Sequence, residues 1–229
     1  MALRPQTSVI VPVRNGARFV AQAVLSVLEQ LSPGDEVIAV NDASTDASLE
    51  MLASISDSRL RVVRGTGRGV SAARNSGLAL ARGELVAFLD HDDLWPPERH
   101  RVLLGALLAH PARGASFGRV RVRFEPGVPE TAAALGLDGK HICELVGSGL
   151  YRQALVLQVE GFCEEMRLRE DADFHLRLIE AGLDPLLCEV DSLVYRRHQA
   201  NITNDEAAVQ RGLTDLLRRK LKRQRTRES

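Results

Sequence analysis

Along the first 93 residues, short apolar runs alternate with stretches of helical period, and each run ends in polar residues. Ser8–Val13 reads as a strand, after which Val20, Val24, Val27, Leu28 and Leu31 recur at helical spacing and stop before Pro33-Gly34. Glu36–Val40 is a second strand, and the polar turn Asn41 to Asp46 opens a second helix. A third strand near Leu60–Val63 leads through Gly65, Gly67 and Gly69 into a small-residue helix over Ser71–Ala81. Then comes Leu85–Leu89, five apolar residues that read as a strand buried on both faces. This alternation predicts βαβ units and a mainly parallel sheet. Beyond Pro96 the order loosens into a Leu- and His-rich helix, an alternating strand over Ala115–Phe124, and a surface insertion over Glu125–Lys140 suited to specificity for a second substrate. Glu170–Ala181 is an amphipathic helix stopped by Gly182.

The strand ends deliver chemistry to one sheet edge: Arg14 and Asn15, then Asn41 and Asp42, then Asp90, Asp92 and Asp93. Open α/β sheets bind ligands at that carboxyl edge. Three acids so close repel one another, so a cation is expected among them, and oxygen donors favour Mg or Mn. The plainer alternative is an acidic turn capping the helix after Pro96-Pro97. Gly65, Gly67 and Gly69 break the dinucleotide fingerprint, leaving a loop that either approaches a phosphate or ribose with its amides or serves as a flexible turn. Trp95 either walls a sugar site by stacking or closes the core behind the acidic loop. Glu170 and Asp171, at a helix start, fit simple interaction with the helix dipole.

Composition narrows the partners. The 229 residues suit one large domain or one with a small extension, and 30 basic against 30 acidic residues argue against nucleic acid. Three cysteines without a CxxC pattern fit a reducing cytoplasm, and neither an apolar leader nor a membrane span is evident. Near the C-terminus, Leu213, Leu216, Leu217 and Leu221 recur among Arg and Lys in a basic amphipathic helix. It is read either as packed on its own domain or as peripheral at the inner face of the membrane.

Six segments in order resemble the family 2 glycosyltransferases: Ser8–Gly16, Val40–Asp46, Ser71–Gly77, Asp90-His91-Asp92 as the Asp-x-Asp motif, Gly161-Phe162 followed by Arg169–Arg177, and Tyr195–His198. The resemblance implies a GT-A fold, a Rossmann-like mainly parallel sheet flanked by helices with a C-terminal acceptor-side region. Residues 1–203 would form the transferase domain, with 7–95 the nucleotide-sugar half and 96–203 the acceptor-side half, and 204–229 a basic tail. It places Pro12, Val13, Asn15, Asp42, Arg74, Asp90 and His91 on a nucleoside diphosphate sugar, UDP being the expected nucleotide. Asp92 and His198 would hold a divalent metal, Mn or Mg. Asp171 would be the base of an inverting reaction, with Glu170 in support, and Trp95 and Ser148 would contact the sugar or acceptor. The acceptor would be a hydroxyl of a glycan, lipid-linked saccharide, peptide or small molecule. The family's Gly-Phe-Asp-Glu appears here as Gly161-Phe162-Cys163-Glu164, and the Gln-x-x-Arg-Trp motif of processive synthases is missing, which implies transfer of single sugars. The competing readings are a sugar-1-phosphate nucleotidyltransferase, which normally carries a Gly/Arg/Lys loop after its first strand, and a non-catalytic nucleotide-sugar-binding scaffold.

Overall fold

The computed structural model describes residues 4–228. Its first half is built as the apolar alternation predicts: strands β1 (Thr7–Val13), β2 (Glu36–Asn41), β3 (Leu60–Arg64) and β4 (Leu85–Phe88) alternate with helices α1 (Val20–Leu28), α2 (Ser48–Ala53) and α3 (Val70–Leu80). The second half contains α4 (Arg99–Ala109), β5 (Ala115–Phe124), α5 (Ala132–Leu135), β6 (Gly149–Arg152), α6 (Gln153–Gln158), α7 (Glu170–Glu180), β7 (Leu186–Arg197) and α8 (Glu206–Glu228). Among the described residues all strands join one sheet in the order β3-β2-β1-β4-β6-β5-β7.

β1 lies between β2 and β4 and is parallel to both, pairing Ser8 with Glu36 and with Val86. The strand order therefore reverses direction at β1/β4, where an open parallel sheet leaves a crevice at its carboxyl edge. Period-2 alternation sorts the buried side chains onto two faces: Val9, Val11, Val37, Ala39, Leu85 and Ala87 pack with α1 and α4, whereas Ile10, Ile38, Val40, Val86 and Phe88 pack with α3 and α7. Each strand of the trio is buried throughout, which is why it reads as a continuous apolar run.

β6 and β7 were not expected. β6 spans four residues, too few to show a period, and lies antiparallel to β4 and β5. A side chain at its first residue, Gly149, would strike the Tyr151 ring 2.6 Å away, so the close approach needs glycine. β7 runs parallel to β5, with register shifts around Arg119 that blur its alternation. The insertion after β5 contains α5 and returns so that Val120 and Lys140 form a bridge. α7 ends as Gly182 predicts: at φ 91° the glycine donates to Ile179 O and Leu183 donates to Leu178 O.

α8 packs on its own domain. Leu216 is buried with Met166 and Ala172, Arg223 pairs with Asp173 and Glu180, and Arg219 pairs with Glu165. Among the described residues no helix is long and apolar enough to cross a membrane.

Candidate functional site

The polar residues after β1 and β2 form one interlocked edge. Pro12 and Val13 are buried in the strand, and the Val13 carbonyl accepts from Asp42 N at 2.8 Å. Asn15, at φ 51°, accepts from Thr45 N through its side-chain oxygen at 2.8 Å, and its own amide donates to Ser44 Oγ. The Gly16 amide donates to Ser48 Oγ, and a side chain at Gly16 would collide with the His91 ring. His91 therefore lies across the first-strand turn. Asp42 is buried beneath the glycine loop and accepts from Gly67 N at 2.6 Å and Gly69 N at 2.8 Å. Those two amides are not offered to a phosphate; the loop is neither a free cradle nor a flexible turn but is tied to the β2 end by a carboxylate.

The three acids after β4 do not converge on a single cation. Asp90 accepts from Arg74 Nη2 at 2.7 Å, Asp92 lies 2.9 Å from His198 Nε2, and Asp93 accepts from the Arg196 backbone amide at 2.9 Å. Each acid thus meets a different basic residue or its backbone, which relieves the repulsion without an ion common to all three. Burial tends to raise the Asp92 pKa, but the His198 hydrogen bond and the nearby His91 overcome it and lower the value. Asp93 is the opposite case: burial, with the charges of Asp92 and Asp90, pushes its carboxyl well above the usual range. It serves to dock β7 on the acidic turn, assisted by Arg196, whose Nε donates to the Asp92 carbonyl and whose Nη1 donates to Gln22.

Arg74 joins the acidic turn after β4 to the start of α7. Its side chain is 1% exposed, and it reaches Asp90 on that turn and Asp171 (2.5 Å) and Glu170 (3.1 Å) at the helix start. Its guanidinium lies 5.0 Å over the Phe162 ring. Burial opposes the Arg74 charge, but the three carboxylates more than compensate and raise its pKa. Asp171 also accepts from the Val146 amide. Burial is the main influence on Asp171, opposed by Arg74 and assisted by Glu170 and Asp90, and its pKa is pushed up to about 8. A carboxyl poised there is suited to proton transfer near neutral pH.

Asp90, Asp92, Glu170 and Asp171 line a cleft of about 470 Å³ together with residues of the insertion after β5 and of the segment from Tyr195 to Val209. Two sequence expectations need correction here. Trp95 does not wall this cleft: it is 3% exposed in the core, with the Arg99 guanidinium 3.8 Å over its ring. Ser148 is fully buried, and its hydroxyl donates to the Leu145 and Ile142 carbonyls to close a turn. Both act behind the site, because Arg99 donates to the Gly147 and Gly149 carbonyls beside the Val146 amide that holds Asp171.

Among the described residues no group of three or more His, Cys, Asp or Glu side chains could hold a metal ion unaided. Asp92 and His198 nevertheless fit a two-ligand site, since Oδ2 and Nε2 face each other and Mg-type sites commonly take one or two protein ligands plus substrate phosphates. Asn201, whose side-chain oxygen accepts from the His198 amide and whose Nδ2 contacts His198 Nε2, went unnoticed in the sequence, and Arg197, seen there only as one of a basic pair, also lines the cleft. The only hint of Asn201 was its position three residues after the histidine.

The sequence model described as Glycosyl transferase family 2 matches residues 8–143, more than half of the chain. An uncharacterized glycosyltransferase of Nostoc sp. is 37% identical over 95 residues, covering 40% of this chain and 30% of its own length. The succinoglycan biosynthesis protein ExoO of Rhizobium meliloti is 37% identical over 101 residues, covering 44% and 29% respectively. The chain thus spans about a third of the length of these curated relatives. The crystal structure of S. aureus TarS 1-349 in complex with UDP-GlcNAc matches with a TM-score of 0.70 at 21% identity, covering 87% of this chain and 61% of that one. At such identity the likeness establishes the fold alone, and that fold is GT-A.

Proposed function

The chain belongs to glycosyl transferase family 2, and from that premise we propose that it transfers a single sugar, with inversion, from a nucleoside diphosphate sugar to an acceptor hydroxyl. The bound UDP-GlcNAc and UDP of the TarS structures support a UDP-sugar as donor. One observation carries the reading: Arg74 holds both Asp90, after β4, and Asp171, at the start of α7, and both acids line one cleft.

The nucleotide would sit on the edge formed by Pro12, Val13, Asn15 and His91, with Asp42 fixing the glycine loop beside it. Asp171 would take the proton of the acceptor hydroxyl as its oxygen attacks the anomeric carbon from the face opposite the leaving diphosphate. Glu170 shares Arg74 with it and adds its repulsion to the burial that raises the Asp171 pKa. A Mn or Mg ion on Asp92 and His198 would supply charge compensation for the departing diphosphate. Arg74 orients Asp171 throughout and, being cationic, stabilises the carboxylate that must be regenerated. The basic α8 would add peripheral contact with a membrane.

Thermal unfolding of the chain with UDP and UDP-sugars, with and without Mn, tests the donor half, because a ligand of the native state raises the melting temperature. Asp171→Asn should keep that shift while transfer falls about 10²- to 10⁴-fold, the usual worth of a general base. Transfer retained within twofold moves the base elsewhere, and a melting temperature indifferent to every nucleotide removes the donor reading.

A further inference from the structure

Two large side chains that are fully buried, Arg99 and Tyr151, direct their polar atoms at one short turn, Val146–Ser148, and at the strand that follows it. Arg99 Nη2 donates to the Gly147 carbonyl at 3.1 Å and to the Gly149 carbonyl at 2.7 Å, while its Nε donates to the Ser192 carbonyl of β7 at 2.8 Å. The Tyr151 hydroxyl donates to the Val146 carbonyl at 3.2 Å. Core packing alone does not call for a cation here. Burial disfavours the Arg99 charge and no carboxylate offsets it, so an apolar side chain of similar volume would avoid the cost of desolvating the guanidinium. What Arg99 and Tyr151 share is the turn.

The first amide of that turn faces the site: Val146 N donates to Asp171 Oδ2 at 3.3 Å, while Arg74 Nη1 holds Oδ1 at 2.5 Å. A carboxylate held at one oxygen still turns about its last side-chain bond, a soft torsion, whereas one held at both oxygens is fixed in its plane. Oδ1 is committed to the guanidinium, so Oδ2 is the oxygen left to receive a proton. We propose that Arg99 and Tyr151 are positioning residues for the proton transfer: by pinning the Val146, Gly147 and Gly149 carbonyls from behind, they keep the Val146 amide on Oδ2 and fix the direction in which that oxygen meets the acceptor hydroxyl. The role as base rests on the glycosyl-transfer reading; the hold on the carboxylate rests on the contacts alone.

Transfer kinetics across pH, together with amide NMR of the full chain, test the two residues. Arg99→Met keeps a long side chain beside Trp95 and removes all three donated bonds, and Tyr151→Phe removes one hydroxyl and keeps the ring. In Arg99→Met kcat should fall about 10- to 100-fold, the scale of a misplaced reacting group, and in Tyr151→Phe by a smaller factor, with donor KM and the UDP-induced thermal shift unchanged. Because the Val146 amide favours the carboxylate form of Asp171, its loss should also move the midpoint of the kcat/KM profile to higher pH. Arg99→Lys, which still offers a charged donor to the carbonyls, should bring both readouts part of the way back. A purely structural role would lower the melting temperature and leave the midpoint in place. In the wild-type chain labelled with ¹⁵N-valine, the Val146 amide resonance should titrate together with kcat/KM and lose that titration in Asp171→Asn. An unchanged kcat and midpoint in Arg99→Met and Tyr151→Phe overturns the proposal, as does a Val146 amide indifferent to the titration of Asp171; where Arg99→Met does not fold, Tyr151→Phe and the amide resonance decide. Collapse of transfer in Asp171→Asn without any titration of the amide sinks the positioning role and spares the base. Transfer retained in Asp171→Asn beside a titrating amide removes the base, and the proposal with it, while the contact stands.

Discussion

The two halves of the site solve the same problem, holding polar groups at a buried edge, in different ways. On the proposed nucleotide side Asn15, Asp42, Asp46 and Ser48 are satisfied almost wholly by hydrogen bonds to backbone amides and hydroxyls of neighbouring turns. On the proposed acceptor side Asp171, Glu170 and Asp173 depend on arginines contributed by distant segments, Arg74 and Arg223. Backbone amides and hydroxyls hold the first edge without a cationic partner. Long-range ion pairing makes the second sensitive to protonation and to any element that carries a partner, and catalysis needs that sensitivity only where a proton moves.

The largest break in this contrast comes from Arg74, the one residue that serves both sides. Arg74→Met leaves Asp171 and Glu170 in a buried site without their cation, and removing one partner of such a group costs about 3–5 kcal/mol. Urea denaturation should register that loss, and the double change Arg74→Met with Asp171→Asn should recover part of it, because the pair is coupled. Additive losses in that cycle would show that Arg74 does not act through Asp171.

The next prediction concerns pH. Asp171 has a folded pKa of about 8, above its unfolded value, so the native state binds its proton more tightly. Its contribution to stability is present below the ordinary carboxylate range and is lost as pH rises through about 8. The basic form accumulates over the same interval, so kcat/KM should climb about tenfold per pH unit below the pKa and level off above it. Asp171→Asn should flatten both profiles. A wild-type rate indifferent to pH between 6 and 8 would falsify the assignment of Asp171 as the base.

The nucleotide side answers to geometry instead. Gly69 precedes α3 at φ 105° and ψ 178°, a conformation essentially confined to glycine, and no neighbouring atom would obstruct a side chain there. Gly69→Ala should therefore cost about 1–3 kcal/mol through backbone strain alone. Loss of the Asp42 hydrogen bond should raise the donor KM with kcat little changed. A drop in kcat at constant KM would place the loop in the chemistry rather than in donor binding.

The same contrast explains what could be read from the sequence. The proposed nucleotide side was legible because strand, turn and helix start follow one another in each βαβ unit, even though Asp42 lies 25 and 27 residues from the amides it holds. The acidic triplet stood out as a place for a cation, and the resemblance put Arg74 and His198 at the same edge, but the pairing of each acid with its own basic residue, and the part played by Arg196, were not foreseen. Two of those partners lie more than a hundred positions downstream and carry no periodic signal. Trp95 failed for a related reason, since an aromatic after an acidic turn fits a sugar platform equally well until Arg99 is seen stacked on it. β6 was hidden by its length, and the path from Arg99 through the Gly147–Gly149 carbonyls to Asp171 runs through backbone groups that no residue identity reveals.

The smallest effect lies furthest from the chemistry. Arg223 of α8 donates to Asp173 at 2.7 Å and to Glu180 at 3.1 Å, while Arg177 donates to the other oxygen of Asp173 at 2.8 Å. Asp173 is in the first turn of α7, two residues after the proposed base, where the helix dipole also favours a carboxylate. Arg223→Gln therefore leaves Asp173 with a partner, and with Arg223 partly exposed stability should fall by only about 1.5–2 kcal/mol, the low end for a hydrogen bond to a charged group. Because α7 keeps its other contacts with the sheet, donor KM should stay constant while kcat drops a few-fold, and Arg223→Lys should restore part of it. Unchanged kcat in Arg223→Gln would mean that α8 only covers α7. A fall that Lys reverses would mean that the helix holds the base in register, extending the dependence on distant arginines from the centre of the site to the periphery of the acceptor half.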